Sequence, residues 1–505
     1  MPGRPWSRRR FLGASLKGGA GLVLLAGAGY VGYRWPRPSP SGSASSGSGP
    51  ASEVYSFVSR PDLEPPRVSL TGRPGARRPG APRYVFLAPK GYTTGGPGQQ
   101  GLMIVDVGGH LVWFQPSSTF TMGLDVQTFR GQPHLTWWEG NIVSGYGQGV
   151  CVIADSSYRR VATVRAQNGL QADLHEFVVT DRDTALITAY HTAEADLAGL
   201  GGSGRGQVLE GVVQEIEVVT GKLLFEWRSL QHVPVEETYQ KLDPSSHSPF
   251  DYFHLNSVAV APDGDLLVSA RNTWTVYKVS RTTGDVVWRL GGRRSSFSFG
   301  PGARFYWQHH VRPHGPDRLS IFDNGASPAM ERQSRAILLT LDEKAGKVTL
   351  ERQYTHPAEL LAPNQGSVEL LPDGGALVGW GAQPYFSEFD QNGDLVLDGR
   401  LPADDQSYRA FARDWVGQPS EPPALAVGAN AVGGSTVYAS WNGATRVVTW
   451  QILAGESPGA LRPVARVPHT GFETAISVNS SGPYFVAVAL DRSGAELGRS
   501  QPQKA

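Results

Sequence analysis

The sequence predicts an all-β protein arranged as a β-propeller, and three observations carry that expectation. Glycine and aromatic residues are abundant, with 62 Gly, 13 Trp, 17 Tyr and 19 Phe in 505 residues, which suits short strands joined by tight turns. Helix-forming Ala/Leu/Glu/Lys patterns are scarce. A unit of strand, Gly-containing turn and second strand ending near an aromatic recurs along most of the chain.

Ahead of that repeat lies an address. Residues 7–13 (SRRRFLG) carry a twin-arginine pattern, followed by an apolar run over residues 18–33. The run is about 16 residues long, where a spanning helix usually needs about 20. Residues 1–34 are therefore read as a twin-arginine export signal or a membrane anchor, with residues 14–33 as the anchoring stretch. Such a signal implies recognition by the Tat export machinery and an extracellular or cell-envelope location, with membrane contact only through this segment. The single cysteine, Cys151, agrees with folding before export, and it excludes a disulfide framework and any Cys-rich metal site. Residues 35–80, rich in Pro, Ser and Gly, are expected to be a disordered tether.

The repeat occupies residues 81–500. Hairpins are read at 101–114 (GLMIVDVGGHLVWF), 213–227, 276–288, 337–354 and 385–397, and between them at 177–190, 256–271 and 367–380. Two successive hairpins make a four-stranded sheet, and the set recurs at about 40 to 80 residues, the spacing of propeller blades with insertions. The count is six blades, or seven if the degenerate final segments supply another. Residues 84–114 and 470–497 are expected to meet and close the ring. Residues 192–206 and 232–249 read as surface loops beside the functional face. Charge is balanced, with 46 Lys+Arg against 45 Asp+Glu, so there is no global basic field to hold nucleic acid.

Propeller architecture names no chemistry, which must come from a site. Polar residues cluster near the ends of strands that would line a central channel: Asp173-Leu174-His175-Glu176, His254-Leu255-Asn256-Ser257, Arg271-Asn272 and Gln308-His309-His310. Alternation along a strand allows only one of His309 and His310 to face the channel. Three imidazoles and a guanidinium entering one pocket would make a donor-rich cup suited to a tetrahedral oxyanion. Asp173 and Glu176 are read as orienting His175, since no calcium-type ligand spacing surrounds them. Asp323-Asn324-Gly325 is read as a tight turn, and of the adjacent Trp137 and Trp138 one is expected in the core.

These residues carry a resemblance. The stretches LTWWEG (135–140), DLHEF (173–177), QEIEVVTGKLLFEW (214–227), FDYFHLNSV (250–258), SARN (269–272), VVWRLGG (286–292), WQHHVR (307–312), FDNG (322–325) and SR (334–335) resemble the arylsulfotransferase family, in the branch shared by actinobacterial and fungal proteins. The resemblance implies a six-bladed propeller that moves a sulfuryl group from an aryl sulfate ester to a phenolic acceptor without a nucleotide sulfate donor, cofactor or metal. It implies His309 as the residue transiently sulfated, Arg271 as the clamp on sulfate oxygens, and His254 and His175 as oxyanion or proton-handling groups. Asn256, Asn272, Trp137 and Trp307 are the matching candidates for substrate contact. The chain departs from enteric members in lacking a cysteine pair and in a shorter spacing between the arginine and the final histidine. Three other readings stand beside it: a non-catalytic exported binding module, a quinoprotein-like dehydrogenase suggested by the Thr-Gly openings at 220–227 and 283–288, and a sulfatase that only releases sulfate.

Overall fold

A computed structural model of the chain describes residues 53–72, 80–91, 96–430, 433–480 and 482–505. The twin-arginine signal or anchor and the tether up to residue 52 lie outside them. Among the described residues the regular structure is β-strand with three short 3₁₀ turns, and no helix is long and apolar enough to cross a membrane.

The strands group into four-stranded antiparallel units, numbered as sheets I to VI; II and III are joined into one eight-stranded sheet where Ala172 pairs with Gly149, and Ser298–Phe299 adds a parallel fifth strand to V. Sheet I joins Tyr84–Leu87, Gly101–Asp106 and Leu111–Pro116 to the late strand Phe411–Arg413. Sheet II runs Phe120–Phe129, Gln132–Val143, Tyr146–Ala154 and Arg160–Val164, and sheet III runs Ala172–Val179, Thr184–Ala195, Gly206–Glu217 and Leu223–Arg228. Sheet IV comprises Leu255–Val260, Leu266–Ala270, Thr275–Val279 and Val286–Gly291. Sheet V comprises His309–Pro313, Arg318–Asp323, Arg335–Asp342 and Lys347–Tyr354, and sheet VI Ser367–Leu370, Ala376–Gly379, Tyr385–Phe389 and Leu395–Arg400. The hairpins close where the sequence puts turn residues. Gly264, after Asp263, sits at φ +91°, a conformation that glycine adopts without steric cost.

Alternation along the strands gives each sheet two apolar faces, and these meet in successive pairs. Leu186, Val213 and Trp227 of sheet III pack on Val258 and Val268 of sheet IV, and Val276 and Leu290 of sheet IV pack on Ile321 and Ile337 of sheet V. Phe322 and Tyr354 of sheet V then meet Val378 and Trp380 of sheet VI, and Leu377 and Phe386 of sheet VI meet Val85 and Met103 of sheet I. Cores between sheets I and II and between II and III complete the set. The first strands of sheets II to VI lie side by side in order, and Phe411–Arg413 lies beside the first strand of sheet II.

Two expectations are corrected here. Residues 470–497 do not pair with residues 84–114; Tyr84–Leu87 takes Phe411–Arg413 as its partner instead. Residues 424–505 form two sheets of their own, Ala424–Ala429, Ser435–Ser440 and Glu473–Val478 against Arg462–Pro468, Thr449–Gly455, Tyr484–Leu490 and Glu496–Arg499. Trp450, Ile452, Phe485 and Ala487 are buried between those sheets. The tether also ends earlier than residue 80. Ser69–Gly72 extends sheet VI by pairing with Leu395–Arg400, and Leu63 and Val68 are buried with residues of sheets I and VI, so apolar burial outweighs the segment's Pro-rich composition.

Candidate active site

The starts of the first strands bring three of the predicted groups together, and a turn supplies the fourth. His175 belongs to Ala172–Val179, His254 immediately precedes Leu255–Val260, His309 opens His309–Pro313, and Arg271 follows Leu266–Ala270. The His175 and His254 rings meet edge to face with centroids 5.0 Å apart. Tyr190 and Tyr408 lie against His175 with ring centroids at 6.1 and 5.8 Å. Arg271, His254 and His175 are near enough to His309 that their charges add to burial in holding its imidazole well below the usual histidine range. His254 is also lowered, by burial first, with the Asp251 carboxylate opposing. His309 is thus an uncharged imidazole at neutral pH, the form with a nucleophilic lone pair.

A partner on Nδ1 orients each imidazole. His175 Nδ1 lies 2.6 Å from Asp173 Oδ2, and His254 Nδ1 lies 2.5 Å from Asp251 Oδ2. His309 Nδ1 lies 2.7 Å from Asn324 Oδ1 and 3.2 Å from the Trp307 carbonyl. The two amide protons of Asn324 are donated to the Ala362 and Gln365 carbonyls, so its Oδ1 can only accept. His309 therefore carries its proton on Nδ1 and presents Nε2 as an acceptor, which takes a 3.2 Å hydrogen bond from the Gln365 amide. Arg271 donates to Asn272 Oδ1 at 2.9 Å and to the Pro363 carbonyl at 3.1 Å, and its guanidinium lies over the Trp307 ring, 4.7 Å from the centroid.

Around the site, side-chain-bearing residues hold the left-handed backbone region that glycine prefers: His254 (φ +54°), Trp274 (+52°), Trp307 (+58°), His310 (+51°) and Gln365 (+64°). Each such residue carries strain of about 1–3 kcal/mol, which accumulates where surrounding structure fixes side chains for a purpose.

The other predicted residues fall differently. Asn272 braces Arg271 and donates to the Asp251 carbonyl at 2.6 Å, while Asn256 donates to the Gln308 carbonyl at 2.6 Å and ties sheet IV to sheet V. Trp307 supports the guanidinium. Trp137 is corrected to a core residue: it is buried between sheets I and II with its indole N–H donated to Glu139. Trp138 packs between sheets II and III. Both histidines of the pair are buried, His310 turning to Phe411 and accepting the Val368 amide at Nδ1. Asp173 orients His175 as expected. Glu176 does not; it is buried between Arg312 and Arg409, with contacts of 2.6–3.1 Å. Beyond this ion triad, further along the same strands, lies a cavity of about 300 Å³ lined by Asp125, Trp138, His310, Arg312, Glu369 and Arg413. His175 and Tyr408 border it, whereas His254, Arg271 and His309 do not.

Three contributors went unread in the sequence. Asp251 stands three residues before His254, a carboxylate close in sequence to a histidine as Asp173 is to His175, and that parallel was the available signal. Asn324 was hidden by its turn, which does form, with Gly325 at φ +64°. Gln365 had no signal. No group of three or more His, Cys, Asp or Glu side chains placed to hold a metal occurs among the described residues.

Sheets and site together define an all-β protein with a buried cluster of three oriented imidazoles and one guanidinium. Residues 125–401, more than half of the chain, match the family described as Arylsulfotransferase (ASST). The chain belongs to the arylsulfotransferase family, whose activity is the transfer of sulfuryl groups from aryl sulfates. No curated protein sequence matches it. Solved structures similar to it include a protein of unknown function from Bacteroides caccae, at 11% identity and TM-score 0.40, covering 65% of this chain and 98% of that one. A protein from Lactobacillus plantarum matches at 14% identity and TM-score 0.33 (78% and 99% covered). Virginiamycin B lyase from Staphylococcus aureus matches at 10% and 0.30 (75% and 93%). Likeness at this level bears on neither mechanism nor substrate.

Proposed function

We propose that this chain is a six-bladed propeller enzyme, built from sheets I to VI with residues 424–505 as an appended β-sandwich, that transfers a sulfuryl group from an aryl sulfate ester to a phenol through a sulfohistidine on His309. The observation that carries the reading is the uncharged His309, its Nδ1 proton held by Asn324 and its Nε2 left as an acceptor, in a buried cluster with Arg271, His254 and His175. Nε2 attacks sulfur, and the S–O ester bond breaks with its electron pair leaving on the phenolate oxygen. Arg271 offers a planar pair of donors to the sulfuryl oxygens, and such donors aimed at developing charge are typically worth about 2.7–4 kcal/mol each. The first product departs as the phenolate, and His254, neutral and backed by Asp251, then takes the proton of the incoming phenol and passes it to solvent. That phenol attacks sulfur and the N–S bond breaks. Splitting one transfer into two is the gain of covalent catalysis.

The binding-module alternative has one observation in its favour: the Gln365 amide already occupies His309 Nε2, and the Pro363 carbonyl occupies Arg271. Catalysis requires residues 362–365 to exchange both contacts for substrate. Release of nitrophenol from 4-nitrophenyl sulfate, measured with and without added phenol, separates the readings. The transferase releases nitrophenol faster with phenol present, and folded His309→Ala releases none; a binding module consumes no aryl sulfate, and a sulfatase is indifferent to phenol. Export by the twin-arginine route to the cell exterior, with residues 1–34 as signal or anchor, completes the proposal and rests on Arg8-Arg9 and the apolar run behind them.

A further inference from the structure

Among the described residues, the buried Lys90 has no counter-charge. Lys90 lies in the short strand Pro89–Gly91, which pairs antiparallel with Asp405–Ser407, and Lys90 stands directly opposite Gln406. Directly opposed residues of an antiparallel pair project to the same side. That side is fixed by Gln406, whose Oε1 accepts a 2.8 Å hydrogen bond from Gln365 Nε2, and the Gln365 amide in turn reaches His309 Nε2. The neighbouring Ser407 is turned elsewhere, bonding the Ala88 amide and the Arg409 carbonyl. The Lys90 side chain thus projects on the face that leads through Gln406 and Gln365 to the nucleophile.

Lys90 is 8% exposed, and none of the ion pairs and side-chain hydrogen bonds of the described residues involves its ammonium. Burial alone lowers it, to about 8. Lysine is almost never buried to this degree without a partner, because removing an ammonium from water is costly unless an anion or strong acceptors replace the lost hydration. The cluster at His309 is already assigned to the sulfuryl group, so an anion that the substrate brings to Lys90 sits on another part of it.

We propose that Lys90 recognises a carboxylate on the aromatic substrate, making phenols and aryl sulfates that bear a ring-linked carboxylate the preferred class. The proposal rests on the transferase reading of the site. An uncharged substituent gives the ammonium nothing to pair with, so the preference is a difference between an acid and its neutral ester.

The test is calorimetric titration of the full chain with 4-hydroxyphenyl carboxylic acids carrying zero, one or two methylenes between ring and carboxylate, each beside its methyl ester, at low and high salt. At least one acid should bind about tenfold or more tighter than its ester, with the advantage shrinking in salt. Lys90→Met, which keeps the apolar stem, should erase that advantage and leave ester binding unchanged, and Lys90→Arg should keep most of it. Equal binding of acids and esters by the wild type, or equal loss of both in Lys90→Met with an unchanged melting temperature, overturns the proposal. No sulfate donor is present, so the two readings fail separately. A Lys90-dependent acid preference without turnover sinks the transferase alone, and turnover without acid preference sinks only the role of Lys90.

Discussion

Replacing Asn324 by alanine separates holding the nucleophile from touching the substrate. Asn324 is wholly buried and its side chain makes three bonds: it accepts from His309 Nδ1 at 2.7 Å and donates to the Ala362 and Gln365 carbonyls at 3.0 and 2.9 Å. Alanine leaves both carbonyls unpaired. At about 1–3 kcal/mol per orphaned buried group, the loss of stability should be about 2–6 kcal/mol. His309 keeps only the 3.2 Å contact to the Trp307 carbonyl, so its ring can tilt and its proton can move to Nε2, where it blocks attack. A misplacement of about 1 Å in a reacting group lowers the rate by about 10²-fold. That loss should fall on kcat with KM nearly unchanged, because Asn324 faces the imidazole and not the pocket. Asn324→Asp keeps an acceptor for His309 and sets oxygens against two carbonyls, so it should lose stability and retain more of the rate. The assays are initial rates with 4-nitrophenyl sulfate and phenol, and urea unfolding of the same preparations. A folded Asn324→Ala enzyme with kcat within twofold of wild type refutes the claim that Asn324 sets the His309 tautomer.

The remaining predictions concern charge. Glu176→Gln leaves Arg312 and Arg409 buried without their shared carboxylate, which should cost about 3–5 kcal/mol; a shift below 1 kcal/mol in urea unfolding would show that the triad does not bind the first strands together. Acid should also destabilise the fold. Burial, then neighbouring charges, hold His309 and His310 neutral well below the ordinary imidazole range. On unfolding, both rings take up protons once pH falls below about 6.5, so stability is lost on acidification by up to about 1.4 kcal/mol per pH unit for each ring. Asp323 acts oppositely: burial lifts it to about 6 despite Arg335, so between about 4 and 6 it favours the folded chain and offsets part of the loss. Greater stability at pH 5.5 than at pH 7.5 would contradict these assignments.

Local pattern made most of the sheets legible, and long-range pairing hid the rest. The hairpins around Asp263-Gly264 and Asp373-Gly374 were readable because alternating apolar residues flank a turn that needs positive φ. The late strand that pairs with Tyr84–Leu87 in sheet I, Phe411–Arg413, is three residues long and has no period to read, whereas residues 470–497 alternate and so present the stronger sequence signal. Leu63 and Val68 show the converse, apolar residues isolated in a Pro-rich stretch that find a core only in three dimensions. At the site, His175, His254 and His309 were legible as polar residues at or beside the starts of apolar strands and Arg271 as one just after a strand, and all four fall in the stretches that resemble the family. Asn324 was not, since Asn before Gly is equally well explained by the turn it makes, and the same residue serves both. Trp137 misled because an adjacent tryptophan pair does not say which ring faces a core; both do.

The proposed mechanism stands or falls on a covalent bond. Incubating the enzyme with 4-nitrophenyl sulfate and no acceptor, then quenching at alkaline pH and measuring intact and peptide masses, should find one sulfuryl group on the peptide containing His309. Adding phenol should discharge it, and His309→Ala should never acquire it. Full turnover with an unmodified chain, or the group on another residue such as His254, would contradict the assignment of His309 as nucleophile.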